Sequence, residues 1–233
     1  MLFLYNKDMN KLQAFKSLAN IFEKHGYQLF LVGGTVRDFL LKRELNDIDC
    51  ATDATPKEIK DFLSGDFTFA KFGSIKVMFE DVKFEITTFR EENNYTDSRH
   101  PAEIKFVRDI EIDFKRRDFS INAMYLDKNE KVYDFTNGQK DLKNKILTMI
   151  GDSDKRIKED PLRIIRAVRF ALDYDLTLDF SLFEAIKNNN LLLLNLNIEK
   201  IKMDLNKMKC NDKEKINTLF SDLGIKYLLD MIE

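Results

Sequence analysis

The residues best suited to chemistry in this 233-residue chain are two aspartates, spaced Asp47-Ile48-Asp49, and a glycine pair upstream, Gly33-Gly34. In a strand, residues i and i+2 face the same way. The spacing therefore predicts two carboxylates on one side. Aligned carboxylates are hard oxygen donors that suit Mg²⁺, with substrate phosphates completing the shell. Glycines carry no Cβ, so the backbone can approach a triphosphate, and the NH groups of Gly33, Gly34 and Thr35 can face its oxygens. The pattern points to metal–phosphate chemistry.

Those residues need elements to hold them. An apolar strand from Gln28 to Val32 runs into the glycines, a short helix follows with Val36, Phe39 and Leu40 apolar, and the two aspartates then open a second strand. Upstream, Asn10–His25 carries apolar residues at helical spacing and closes at Gly26. Thr55-Pro56 opens a further helix, as N-cap and first helical residue. Phe69–Phe79 and Val82–Thr88 read as neighbouring strands. In the second, Phe84, Ile86 and Thr88 share one face, and Glu85 and Thr87 the other. Arg90–Val107 is polar and reads as a mobile loop. Asp160 and Arg163 stand at i and i+3, neighbours on a helix face. Pro161 leaves two geometries open. Either Asp160 caps a new helix with its carboxylate on backbone NH groups, or a kinked continuous helix leaves it free.

The bulk properties exclude some classes. Charged residues at 33% and aromatics at 12%, with 20 Phe, describe a globular chain and not a disordered one. A net charge of −2 argues against a generally basic nucleic-acid binder, though a local basic stripe could still carry phosphate contacts. Cys50 and Cys210 offer no metal spacing and no disulfide framework. The apolar run Met1–Tyr5 is too short for a signal peptide or a membrane span, so a cytoplasmic protein without membrane contact is expected.

The string from Leu31 to Asp49, LVGGTVRDFLLKRELNDID, followed by Ala51-Thr-Asp-Ala-Thr-Pro56, resembles the signature of the DNA polymerase β nucleotidyltransferase superfamily. More closely, it is similar to the class II tRNA nucleotidyltransferases (CCA-adding enzymes) and their poly(A) polymerase relatives. The resemblance implies an α+β fold: a polymerase β-like head of mixed sheet and helices over 1–150, then an all-α neck over 151–233. It implies transfer of C and A from CTP and ATP to a tRNA 3′ end, with two Mg²⁺ ions held by Asp47 and Asp49. It suggests Glu85 as a third carboxylate. Gly33, Gly34 and Arg37 would contact phosphates, and Asp38 would brace the turn.

Further motifs extend the resemblance. Arg116-Arg117-Asp118 with Asn122 resembles an RRD-x-x-x-N motif that binds triphosphate and ribose. Arginine's planar fork suits phosphate oxygens. The polar segment resembles a family loop that helps switch from C to A addition, with Arg90, Tyr95, Asp97 and Arg99 on its pattern and His100 replacing a second Arg. Glu159, Asp160 and Arg163 resemble the base-reading E-D-x-x-R motif. C and A both present an amine donor beside a ring-nitrogen acceptor, which an Asp–Arg pair matches and which U and G oppose. Arg166 and Arg169 extend the basic face towards phosphates or RNA. Tyr133–Met149 resembles a hinge motif in which Gly138 turns the chain. The family's body and tail are not evident beyond the neck, so the chain reads either as a fragment or as a reduced enzyme whose grip on tRNA a partner protein or a homo-oligomer could replace. Alternatives to CCA addition are an enzyme adding only the terminal A, a poly(A) polymerase, or an inert nucleotide- or RNA-binding module.

Overall fold

The computed structural model describes residues 2–46, 48–95 and 101–232. Asp47, Asp97, Arg99 and His100 lie outside the described residues, as does the side chain of Tyr95. The chain forms two compact units, neither of them continuous in sequence. The first comprises residues 1–92, 103–117 and 121–138; the second comprises 93–102, 118–120 and 139–233.

Helix α1 (Leu2–Lys24) leads into strand β1 (Leu29–Val32), helix α2 (Gly34–Leu40), strand β2 (Ile48–Thr52) and helix α3 (Pro56–Lys60). Strands β3 (Ser74–Phe79) and β4 (Val82–Thr88) follow, then β5 (Arg90–Tyr95) and β6 (Pro101–Phe106), helix α4 (Ile110–Asp113), and strands β7 (Tyr125–Leu126) and β8 (Val132–Tyr133). The main sheet runs in the order β3-β4-β2-β1-β7-β8. Strand β2 lies parallel to β4, while its other neighbour β1 is antiparallel, so the sheet is mixed. This is the α+β class expected.

Local chemistry explains the elements. All four residues of β1, Leu-Phe-Leu-Val, are buried, as expected of a central strand covered on both faces. Phe84, Ile86 and Thr88 turn inward on β4. Thr55 caps α3, accepting from the Glu58 NH while the Glu58 carboxylate accepts from the Thr55 NH, a reciprocal capping box. Gly26 takes φ +83° just after α1, the left-handed conformation that glycine adopts without a Cβ clash. His25 stacks on Phe62 with ring centroids 4.3 Å apart. Phe30, Phe89 and Tyr125 form an aromatic cluster, with Tyr125 edge-on to both phenylalanines.

In the second unit the helices are α5 (Gly138–Asn144), α6 (Ser153–Glu159), α7 (Leu162–Tyr174), α8 (Phe180–Asn189), α9 (Ile198–Leu205), α10 (Lys213–Asp222) and α11 (Tyr227–Ile232). Strands β9 (Ile146–Leu147) and β10 (Thr177–Leu178) pair in parallel. Ile164, Ile165, Val168 and Ala171 form the buried stripe of α7. Gly224 takes φ +70° between α10 and α11.

The structure differs from the sequence reading at several points. Helix α1 begins at Leu2, not Asn10. Ala70–Phe72 is a 3₁₀ turn, so the expected strand from Phe69 starts only at Ser74. The segment read as a loop forms strands β5 and β6, which pair with each other in a two-stranded sheet. Gly138 opens α5, and Asp134 accepts from the NH groups of Thr136 and Gly138. One boundary between the two units falls at 138/139. Pairing of β9 with β10 draws residues 146–147 to the helical side. No helix among the described residues is long and apolar enough to cross a membrane.

Candidate active site

The site begins with Gly33. Its φ of +66° and ψ of −132° turn the chain sharply from β1 into α2, a conformation costly for any residue bearing a Cβ. A Cβ there would point at Arg117 Nη1 and Asp49 Oδ2, each 4.0 Å away. The turn is tied to the next strand because the Asp49 NH donates to the Thr35 hydroxyl at 2.9 Å.

Asp49 lies on β2 directly opposite Glu85 on β4. Paired residues on adjacent strands project to the same face, and both line one cavity of about 530 Å³ together with Gly33, Arg90, Arg116 and Arg117. The Ser74 hydroxyl donates to the Glu85 carboxylate at 3.1 Å. No group of three or more His, Cys, Asp or Glu close enough to hold a metal occurs among the described residues, which do not include Asp47. The donors that are described, carboxylate oxygens in an open cavity, fit a hard cation such as Mg²⁺.

The basic side of the cavity is built around a residue the sequence reading passed over. Asp113 is fully buried. One of its oxygens accepts from the Arg90 NH at 3.1 Å and Arg116 Nε at 2.8 Å. The other accepts from Arg117 Nη2 at 3.0 Å and the Tyr125 hydroxyl at 2.6 Å. Burial alone would raise the Asp113 pKa, but Arg116, Arg117 and the Tyr125 hydroxyl hold it well below the usual carboxylate range. Burial likewise works against the charge on Arg117, yet Tyr125 and Asp113 raise its pKa. Arg117 also donates from Nε to the Tyr125 hydroxyl at 2.9 Å, and its guanidinium lies 4.9 Å from that ring's centroid. It is thereby fixed with Nη1 towards Gly33. A signal was present in the sequence: Asp113 precedes Arg116 and Arg117 by the i+3 and i+4 spacings of helical ion pairs.

Arg37 and Asn122 were expected on the nucleotide, but the structure turns both inward. Arg37 is 5% exposed and donates to Asn122 Oδ1 at 2.7 Å and, through Nε, to Asp38 at 3.0 Å. A Cβ on Gly34 would come within 3.3 Å of Arg37 Nη2. Arg37, Asp38 and Asn122 thus brace the glycine turn from beneath.

The remaining expected residues belong to the second unit. Asp118 is there, although Arg116 and Arg117 belong to the first. Helix α6 ends at Glu159, and Asp160 is extended, with φ −148°. The helices are separate, with Pro161 as the N-cap of α7, and Asp160 Oδ1 is engaged on the backbone, accepting from the Leu162 NH at 3.1 Å. Its Oδ2 accepts from Arg166 at 2.8 Å. Arg166 Nε lies 3.3 Å from Asp118 Oδ2. Burial would lower the Arg166 pKa, but Asp118 and Asp160 raise it. Arg163, expected beside Asp160, instead donates to the Arg156 carbonyl and lies 3.3 Å from Glu159. The helix break explains the change of partner: i+3 neighbours share a face only within one continuous helix. Arg169 packs its guanidinium 4.8 Å from the Phe170 ring centroid.

A mixed sheet carrying facing carboxylates beside a glycine turn, with arginines anchored on a buried aspartate, defines a polymerase-type head fold. Residues 29–148 match the Poly A polymerase head domain, and the chain belongs to that family. It is 40% identical over 194 residues to the CCA-adding enzyme of Staphylococcus haemolyticus, covering 83% of this chain and 48% of that protein. It is 41% identical over 187 residues to the CCA-adding enzyme of Lactobacillus helveticus, covering 80% of this chain and 47% of that protein. The crystal structure of the Bacillus stearothermophilus CCA-adding enzyme in complex with CTP matches with a TM-score of 0.83 at 30% identity, covering 91% of this chain and 52% of that one. The chain spans about half the length of the relatives it matches.

Proposed function

We propose that this chain is a nucleotidyltransferase that adds C and A from CTP and ATP to the 3′ end of tRNA without a template. The observation that carries the reading is the register of Asp49 against Glu85 in one cavity with Gly33 and Arg117. The relatives named CCA-adding enzymes support the choice of substrates.

Asp49 would hold Mg²⁺ together with Asp47. Bound there, the cation would acidify the acceptor hydroxyl and offset the triphosphate charge. The chain's own groups do the rest. Gly33 lets the triphosphate lie close to the backbone. Arg117, already oriented by Asp113 and Tyr125, would bring a prepositioned positive charge to the phosphates, and preorganised donors are those that stabilise developing charge most effectively. The acceptor 3′-oxygen bonds to the α-phosphorus as the bond to the bridging oxygen breaks and pyrophosphate leaves. Glu85 takes the hydroxyl proton. Arg116 completes the contacts to phosphate.

Asp160 and Arg163 would select the base. A carboxylate oxygen can accept more than one hydrogen bond, so Asp160 can hold the Leu162 NH and still meet an amine donor. Asp160→Asn combined with Arg163→Ala is expected to relax selection, raising U or G incorporation relative to C about tenfold or more, in line with ~1–3 kcal/mol per unpaired polar group. Asn keeps an oxygen for the Leu162 NH but loses the one that accepts from Arg166, so a melting curve accompanies the assay. Single-nucleotide incorporation assays check this. Unchanged selectivity would move base reading elsewhere.

The reading itself is tested with three tRNAs, ending before CCA, after C and after CC. Each is mixed with the chain, Mg²⁺ and single or paired nucleotides, and resolved on a gel. Addition of C, C and A followed by arrest is the expected result. The match to the Poly A polymerase head domain gives a second reading weight: terminal A addition alone, or open-ended A tails, would establish it. Nucleotide binding without extension would identify a module that requires a partner chain.

A further inference from the structure

Two phenylalanines lining the cavity lie outside the buried core. Phe69 is 48% exposed and Phe72 is 40% exposed. Both line the same cavity as Asp49 and Glu85. Leaving large apolar side chains in water forfeits the burial that would stabilise the fold, so their placement calls for an occupant.

The turn beneath them is closely fixed. The Phe72 NH donates to the Phe69 carbonyl at 2.9 Å, and the Gly73 NH donates to the Ala70 carbonyl at 2.8 Å. The Arg90 guanidinium donates to the Phe72 carbonyl. Gly73 takes φ +84°, and a Cβ there would meet the Phe106 ring at 2.8 Å. At its start, the Thr68 hydroxyl donates to Asp66 at 2.6 Å. Each ring also carries a cation: Lys76 Nζ lies 5.6 Å from the Phe69 centroid and Lys71 Nζ lies 4.8 Å from the Phe72 centroid.

Flat rings on a rigid turn, each beside an ammonium group and next to a carboxylate-lined cavity, suit one ligand chemistry: a nucleobase stacked on a ring, with its phosphate near the cation. Two nucleotides meet in such a cavity. The incoming one must be chosen by its pairing edge, which requires hydrogen-bonding groups, and a phenyl ring has none. The acceptor's last base changes as the chain grows, so its support must tolerate any base. Stacking does that, because every base has a π-face.

We propose that Phe69 and Phe72, with Lys71 and Lys76, form the stacking platform for the unpaired 3′-terminal base of the RNA acceptor. These are positioning residues, and the proposal rests on the nucleotidyl-transfer reading of the cavity.

The test uses the full chain and an RNA whose 3′-terminal base is 2-aminopurine, which loses fluorescence on stacking. It compares wild type with Phe69→Leu/Phe72→Leu and with Phe69→Tyr/Phe72→Tyr. Wild type should quench the probe. The leucine pair should abolish the quench and raise the KM for the RNA acceptor roughly tenfold, the scale of one lost base–aromatic stack. The KM for nucleotide and the melting temperature should not change, and tyrosine should restore both RNA readouts. A quench unaffected by leucine, or a rise confined to the nucleotide KM, would overturn the proposal. Quenching by a wild-type chain that incorporates no nucleotide would leave the platform standing and remove the reaction; incorporation with a leucine-insensitive quench would do the reverse.

Discussion

Asp49→Asn should abolish nucleotide incorporation while leaving the fold intact. Asparagine has the same shape, and the bond that ties this strand to the glycine turn uses the Asp49 backbone NH and the Thr35 hydroxyl, so it survives. The flanking Ile48 and Cys50 remain buried on the opposite face. What is lost is a negative charge facing the cavity opposite Glu85. If that carboxylate holds the cation that organises the acceptor hydroxyl and the triphosphate, the loss should reach about 10³-fold or more, ~4 kcal/mol of transition-state stabilisation. The measurement pairs a melting curve with single-turnover incorporation. An unshifted melt with a rate within tenfold of wild type would remove Asp49 from the chemistry. Asp47→Ala should give the same rate loss, because one cation cannot be held as well by a single carboxylate.

What the sequence disclosed was mostly local. The glycine turn and the strand after it depend on adjacent residues, and the alternation over Val82–Thr88 placed Glu85 opposite Phe84 and Ile86. The parallel pairing of Asp49 with Glu85 was less accessible, because β3 intervenes in sequence and register between distant strands leaves no local mark. Arg37 illustrates another limit. Its position suggests a phosphate contact, but its burial depends on Asn122, distant in sequence, being carried beneath the same turn. The Arg163 side chain takes partners other than Asp160 for a definite reason: the i+3 relation holds within one continuous helix, and the helix ends at Glu159. Phe69 was read as strand, whereas Ala70–Phe72 turns as a 3₁₀ helix and the left-handed Gly73 separates that turn from β3.

Asp113→Ala should produce the largest loss of stability of any single change at this site. The carboxylate serves Arg116, Arg117, the Tyr125 hydroxyl and the Arg90 backbone at once. Its removal takes one acceptor from each of two guanidinium groups, Arg116 keeping Glu92 at 3.5 Å and Arg117 keeping the Tyr125 hydroxyl at 2.9 Å, and removes the acceptor of a buried hydroxyl. Breaking a buried ion pair by deleting one partner costs about 3–5 kcal/mol. For a chain of this length that corresponds to a melting temperature lower by roughly 10 °C. The pH dependence separates charge from packing. Because the folded-state pKa of Asp113 is depressed, its contribution is fully present above the ordinary aspartate value of about 3.9. It is lost as the pH falls towards the lower folded value. Asp113→Asn keeps the shape and removes the charge. The stability gap between wild type and this variant should therefore be constant near neutral pH and close as the pH falls from about 4 towards 2. Denaturant midpoints across that range supply the measurement, and a gap that persists unchanged into acid would assign the stabilisation to shape instead of charge. The same substitution should weaken nucleotide binding even where the chain remains folded. Asp113 and Tyr125 hold Arg117 through Nη2 and Nε, and a donor that must first be ordered contributes less to binding than one already in place.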